Sequence, residues 1–242
     1  MADLKISYGD IHIPYTINRL ENRRGKIKIN VCPDGIVSVD APIDSSEKAI
    51  RDAIYKRARW VYGHVKSIKD QQQYVLPRKY VSGESHFYLG KRYPLKVRVR
   101  KRLPPVVKLL HGKFEIIAPD KDATTISDLL SDWYRIKAEY TFYKRLEDLK
   151  HSVVWLKHIP NIKLRVMKRQ WGSCTPKGTI ILNPHLVKAS RECIDYVILH
   201  ELCHLKEHNH SPKFYRMLDK HMPDWRTTKE KLDSMAAMLL AQ

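Results

Sequence analysis

Ile11, Ile13, Tyr15 and Ile17 alternate with His12, Pro14 and Thr16, the period of two that marks a half-buried strand. The alternation returns at Ile27, Ile29 and Val31 after a turn at Asn22-Arg23-Arg24-Gly25. It returns again at Ile36-Val37-Ser38-Val39 after a turn at Cys32-Pro33-Asp34-Gly35. These segments predict a meander of short antiparallel strands. From Glu47 to about Lys69 the period lengthens: Ile50, Ile54, Ala58, Val61 and Val65 fall at helical spacing, with Ser45 or Ser46 placed to cap. The opposite face carries Lys56, Arg57, Arg59, Lys66 and Lys69, a basic face of the kind that normally meets solvent.

Strand patterning resumes after a turn at Ser82-Gly83-Glu84. Phe87-Tyr88-Leu89 leads through Gly90 into a strand whose Leu95, Val97 and Val99 face one side and Lys96, Arg98 and Arg100 the other. That strand reads either as a polyanion surface or as an edge kept soluble by its charges. Pro104-Pro105 ends it, and Phe114 to Pro119 forms a further strand. Near Asp120 the pattern turns helical, which suggests a boundary between a β-rich region, 1–120, with its embedded basic helix, and a second domain, 121–242. A helix capped by Thr125 runs to about Lys150, with Ile126, Leu129, Leu130, Trp133, Ile136, Tyr140 and Leu149 as its buried stripe. Ile162 to Val166 and Thr179 to Asn183 read as strands, followed by a helix from Ser190 and two more, from Ser211 and from Asp224. The fold class expected is α+β.

The chemistry sits in the helix after Ser190. His200-Glu201-Leu202-Cys203-His204 puts two imidazoles one turn apart on one helix face, a spacing that lets both reach a single zinc ion. Glu201 lies beside them, where a carboxylate reaches a water rather than the metal. Chance alone produces this pattern in roughly 3 of 100 chains of this size. Its setting sharpens it, because Tyr196 to Leu199, Leu202 and Leu205 make the helix mostly buried, a costly place for three unpartnered polar groups. Catalytic zinc sites take three protein ligands and a water. His210 is the foremost candidate for the third, with His208 as its neighbour and rival. The chemistry implied is metal-assisted hydrolysis, with Glu201 as general base and Tyr215 or His221 as candidate donor to the oxyanion. Cys174 is a remote candidate for a thiolate ligand in a latent state.

Composition changes this picture in one respect. The 45 Lys and Arg against 26 Asp and Glu give a net charge of +19, which draws in polyanions, so nucleic acid is a candidate partner through the basic surface. No recognisable nucleic-acid-binding motif accompanies the charge. No run of 18 apolar residues spans a membrane, the N-terminus lacks a secretion signal, and the four cysteines form no C-x-x-C pair, so a cytoplasmic, reduced protein is expected.

Trp171-Gly172-Ser173-Cys174, Gly178 through Asn183, Ile194 through Ile198, the His-Glu-x-x-His helix, Asn209-His210-Ser211-Pro212-Lys213-Phe214 and Pro223-Asp224-Trp225 together resemble the YgjP-like zinc metallopeptidases, relatives of the SprT-like and WLM proteases. Tyr88-Leu89-Gly90 and Gly35 through Val39 extend the likeness over nearly the whole chain. The resemblance implies a zincin-like minimal protease core of packed helices with a small sheet. It implies zinc held by His200, His204 and His210, water activated by Glu201, and a protein or peptide substrate. Trp171, Gly172 and Ser173 are implied as lining of the substrate cleft, where an extended substrate pairs with an edge strand. By analogy with the SprT-like relatives, the substrates would include nucleic-acid-associated proteins. The alternatives are a zinc hydrolase of another amide or ester, and a basic nucleic-acid-binding module with structural zinc. Three histidines favour the open, catalytic kind of site over the cysteine-rich structural kind.

Overall fold

The structure, a computed structural model, describes residues 4–8, 11–20, 27–31, 35–73, 77–167 and 170–240, the side chains at 67 and 69–73 excepted. The turns expected at Asn22-Arg23-Arg24-Gly25 and Cys32-Pro33-Asp34, and the side chain of Lys69, lie outside the described residues. The chain forms two compact units, 1–76 and 77–242.

In the first unit, β1 (Lys5–Tyr8), β2 (Ile11–Leu20), β3 (Lys28–Val31) and β4 (Val37–Pro42) form one sheet in the order β1-β2-β4-β3. It is not the antiparallel meander expected, because β2 and β4 run parallel with Tyr15 opposite Val37. Burial gives the reason. Val37, Val39 and Ala41 are fully buried, so β4 takes an interior position and the shorter β3 goes to the edge. The single helix expected over 47–69 is two, α1 (Glu47–Tyr55) and α2 (Ala58–Gln73). Ser46 caps the first, its Oγ accepting from the Ala49 N–H. Steps of four from Ile50 to Ile54 to Ala58 turn the apolar stripe by about 80° on a continuous helix. The break at Lys56-Arg57 lets Ala58, Val61 and Val65 rejoin Ile50 and Ile54 in one core.

The second unit holds a four-stranded sheet of β5 (Ser85–Tyr88), β6 (Lys91–Val99), β7 (Val106–Leu110) and β8 (Lys113–Ala118), in the order β5-β6-β8-β7. β5 pairs with residues 91–94 of β6 and β8 with 95–99, so the basic stretch has a strand on one side only, and Arg98 of β6 lies 4.0 Å from Glu115. Across its buried face lies α3 (Ala123–Lys150), capped by Asp122, whose carboxylate accepts from the N–H groups of Thr124 and Thr125. Phe114 meets Trp133 edge to face at 5.0 Å, so sheet and helix share one core. The boundary expected near Asp120 thus marks a change of element inside this compact unit. Buried residues advance along α3 by fours, through Ile126, Leu130, Tyr134, Ala138, Phe142 and Leu146. The stripe turns slowly round the helix and leaves Ile136 and Tyr140, expected in the core, 66% and 68% exposed.

A second sheet of three short strands, β9 (Ile162–Leu164), β10 (Gly172–Cys174) and β11 (Ile180–Leu182), has the order β10-β11-β9 and leaves β10 outermost. A 3-10 turn (Pro184–Lys188) then leads into α4 (Arg191–His204), α5 (Pro212–His221) and α6 (Trp225–Leu240). The β5–β6 hairpin tip fixes the start of α4. Leu89 and Gly90 donate their N–H groups to the carbonyls of Val187 and Lys188 at 3.0 and 3.1 Å. Gly90 has φ +79°, and a Cβ there would lie 3.0 Å from the Cα of Ser190, so only glycine fits the tip. The architecture is α+β. No helix among the described residues is long and apolar enough to cross a membrane.

Candidate metal centre

α4 is buried along most of its length, including Ile194, Val197, Ile198 and Leu202, and this fixes the direction of the two histidines at its C-terminal end. The helix stops there, and the chain returns through residues 205–211 to α5, where Ser211 caps the new helix by accepting from the Phe214 N–H at 3.2 Å. That return carries His210 back to α4. The ligand-capable nitrogens of His200, His204 and His210 all lie within 4.8 Å of one another, and Nε2 of His210 is 3.0 Å from Nε2 of His200. His208 is not part of this cluster. Beneath the three rings sits Phe214, fully buried, with its centroid 5.0, 4.7 and 4.8 Å from those of His200, His204 and His210.

Protonation favours metal-ready imidazoles. His200 is depressed to about 3, first by burial and then by its two histidine neighbours and Lys229, so its ring is neutral at ordinary pH. Nδ1 of His204 lies 3.0 Å from the Glu207 carbonyl oxygen. That acceptor places the ring proton on Nδ1 and leaves the Nε2 lone pair for the cluster. Glu201 is 5% exposed, and burial raises its carboxyl to about 8. Its Oε2 is buried without a hydrogen-bond partner. Three imidazoles converging beside an unsatisfied carboxyl oxygen form a donor set suited to a divalent cation with a water next to it.

The strand β10 closes one side. A Cβ on Gly172 would lie 2.8 Å from Oε1 of Glu201, so the backbone of β10 touches the carboxyl and glycine is the residue that permits it. Ser173 pairs with Ile181 of β11, and the Trp171 carbonyl accepts from the Asn183 N–H at 2.8 Å. Of the three cleft candidates, Gly172 is the one brought against Glu201. Cys174 stays a thiol, its pKa raised by burial and by the charge of Glu201, and it is not part of the histidine cluster. Tyr215 stacks 6.2 Å from His210, whereas Nε2 of His221 accepts from the Trp155 indole N–H at 3.3 Å. Sequence reading missed Glu207, whose role depends on a backbone carbonyl that any residue supplies. Phe214 entered it as part of the 209–214 segment, with no sign of its place beneath the three rings.

Comparison with known proteins follows from this geometry. The metallopeptidase zymogen abylysin of Pyrococcus abyssi is 25% identical over 39% of this chain and 92% of its own, with a TM-score of 0.36. The jannalysin zymogen of Methanocaldococcus jannaschii is 27% identical over 38% of this chain and 92% of its own, with a TM-score of 0.34. No curated protein matches the chain. The profile of the YgjP-like metallopeptidase domain matches residues 25–235, taking in both strand-rich parts as well as the histidine cluster, and the chain belongs to the YgjP-like metallopeptidase family.

Proposed function

We propose that this metallopeptidase uses zinc, held by His200, His204 and His210, and that Glu201 is its general base. The observation that carries the reading is the convergence of three ring nitrogens beside a buried carboxyl oxygen that lacks a partner. An all-imidazole donor set without thiolate suits zinc in an open, catalytic site. When bound, the ion supplies Lewis acidity, polarising the scissile carbonyl and easing deprotonation of a neighbouring water. Glu201 takes the proton of the attacking water on its unsatisfied oxygen and delivers it to the leaving amine nitrogen. The same carboxyl accepts the proton and then gives it up, so it needs no second acid–base group. β10, outermost in its sheet, offers an open backbone edge to an extended peptide, which would lie alongside Gly172 and Ser173 and bring its carbonyl to Glu201.

Elemental analysis with a casein-type cleavage assay tests this on wild type, Glu201→Gln, His210→Ala and His208→Ala. Wild type and His208→Ala should hold about one zinc per chain. His210→Ala should lose it, and Glu201→Gln should keep metal while cleavage falls at least ~100-fold. Wild type free of metal after chelator-free purification would overturn the reading. Wild type that holds zinc yet cuts no protein would move it to hydrolysis of another amide or ester.

A further inference from the structure

Two of the three histidines are set by α4 itself, but His210 lies on the return segment ahead of α5 and is exposed. Besides Phe214, 4.8 Å away beneath it, its ring borders a column of further rings. One face of Tyr215 stacks on His210 at 6.2 Å and 29°. Tyr215 also meets Phe214 edge to face at 5.5 Å and stacks on the Trp225 indole at 5.6 Å and 14°, and Trp225 in turn stacks on Tyr196 at 6.2 Å and 4°. Tyr196 then presents its ring to His200 at 5.9 Å, so the column starts at one histidine and ends at another. Trp225 is 8% exposed and cannot rotate freely. Its Nε1–H donates to Oδ1 of Asp219 at 2.8 Å, and Arg226 holds the same oxygen at 2.7 Å.

We propose that Trp225 is a positioning residue for the third metal ligand, holding His210 in its ligating orientation through Tyr215. The inference rests on the ligand assignment proposed above. A hydrophobic core needs only volume at position 225, which leucine or methionine would supply. A flat indole pinned by a hydrogen bond at its edge does something more specific, because it dictates the plane of Tyr215 and hence of the imidazole stacked upon it. Groups that orient metal ligands from behind typically change affinity by ~10–100-fold when removed. Here the orienting contact is a ring face rather than the usual carboxylate or carbonyl.

The test measures zinc affinity by competition with a chromophoric chelator, and the visible spectrum of the cobalt-substituted protein, for wild type, Trp225→Leu, Trp225→Phe, Tyr215→Leu and His210→Ala. Thermal unfolding of the metal-free forms identifies which variants are folded. Trp225→Leu and Tyr215→Leu should weaken zinc binding ~10–100-fold and alter the cobalt spectrum, with Trp225→Phe, which keeps a flat ring but loses the bond to Asp219, falling between them and wild type. If Trp225→Leu does not fold, Tyr215→Leu decides alone, since Tyr215 is 37% exposed and adds little to the core. Wild-type affinity and spectrum in folded Trp225→Leu or Tyr215→Leu, with His210→Ala unable to bind, would overturn the inference and leave the ligand assignment intact. Full affinity in His210→Ala would remove the assignment and the inference together.

Discussion

Gly172 and Glu201 meet so closely that one methyl group decides between them. With a Cβ 2.8 Å from Oε1, Gly172→Ala must push the carboxyl aside or bend β10. The atoms nearest a Cβ at 172 all belong to Glu201 and none to the three histidines proposed as ligands, so zinc content should stay at the wild-type level. Peptide cleavage should fall by ~100-fold, the usual scale for a catalytic group displaced by about an ångström. Metal analysis beside steady-state kinetics checks both halves. At this scale the sequence was most informative about groups close together in the chain. Helix geometry alone brings His200, Glu201 and His204 close together, and a short return brings His210 to them. The approach of Gly172 to Glu201 joins distant parts of the chain, and spacing carries no sign of it.

Behind α4, two elements bury a cluster of ionisable groups. His86 on β5 and His185 on the 3-10 turn are 4% and 7% exposed. Burial, reinforced for His86 by Arg78 and Lys188 and opposed by Glu84, holds His86 at about 4. Burial and then Lys188 hold His185 at about 3. Both values lie below the unfolded 6.5, so the unfolded chain takes up protons first as the pH drops. Their contribution to stability is complete above pH 6.5 and fades toward pH 4 for His86 and pH 3 for His185. At pH 5 each histidine has cost the fold ~2 kcal/mol relative to pH 7. Denaturant unfolding at the two pH values should show this drop, and a His86→Gln, His185→Gln double variant should show a flatter dependence. A wild-type profile as flat as the variant's would refute the assignment. The element scale is also where sequence patterning misled. Alternation reveals which side of β2 and β4 is buried but not that they run parallel. A fixed helical stripe overlooks the slow rotation that turns Ile136 and Tyr140 outward on α3.

For the molecule as a whole, the division at 76/77 separates two cores that share no buried residue. The three histidines, Glu201, Gly172, Phe214 and Trp225 all belong to the second. A fragment spanning 77–242 is therefore expected to fold cooperatively and bind zinc with the affinity of the full chain. Circular dichroism and chelator competition on that fragment check it, and a molten or metal-free fragment would show that the first unit is required. The change from strand to helix pattern near Asp120 falls well after this division, because strands of both units read alike. Tertiary contacts, such as the packing of Phe114 on Trp133 and the bonds from Leu89 and Gly90 to Val187 and Lys188, assign β5–β8 to the later unit. The two hairpin tips of that sheet, at Gly90 and Gly112, point the same way because β6 and β8 run parallel. A Cβ on Gly112 would meet nothing, whereas one on Gly90 would strike the residue that opens the ligand helix. The same end of one sheet thus carries a loop free to drift in length and sequence and another that serves as a gauge block, setting the depth at which α4 begins.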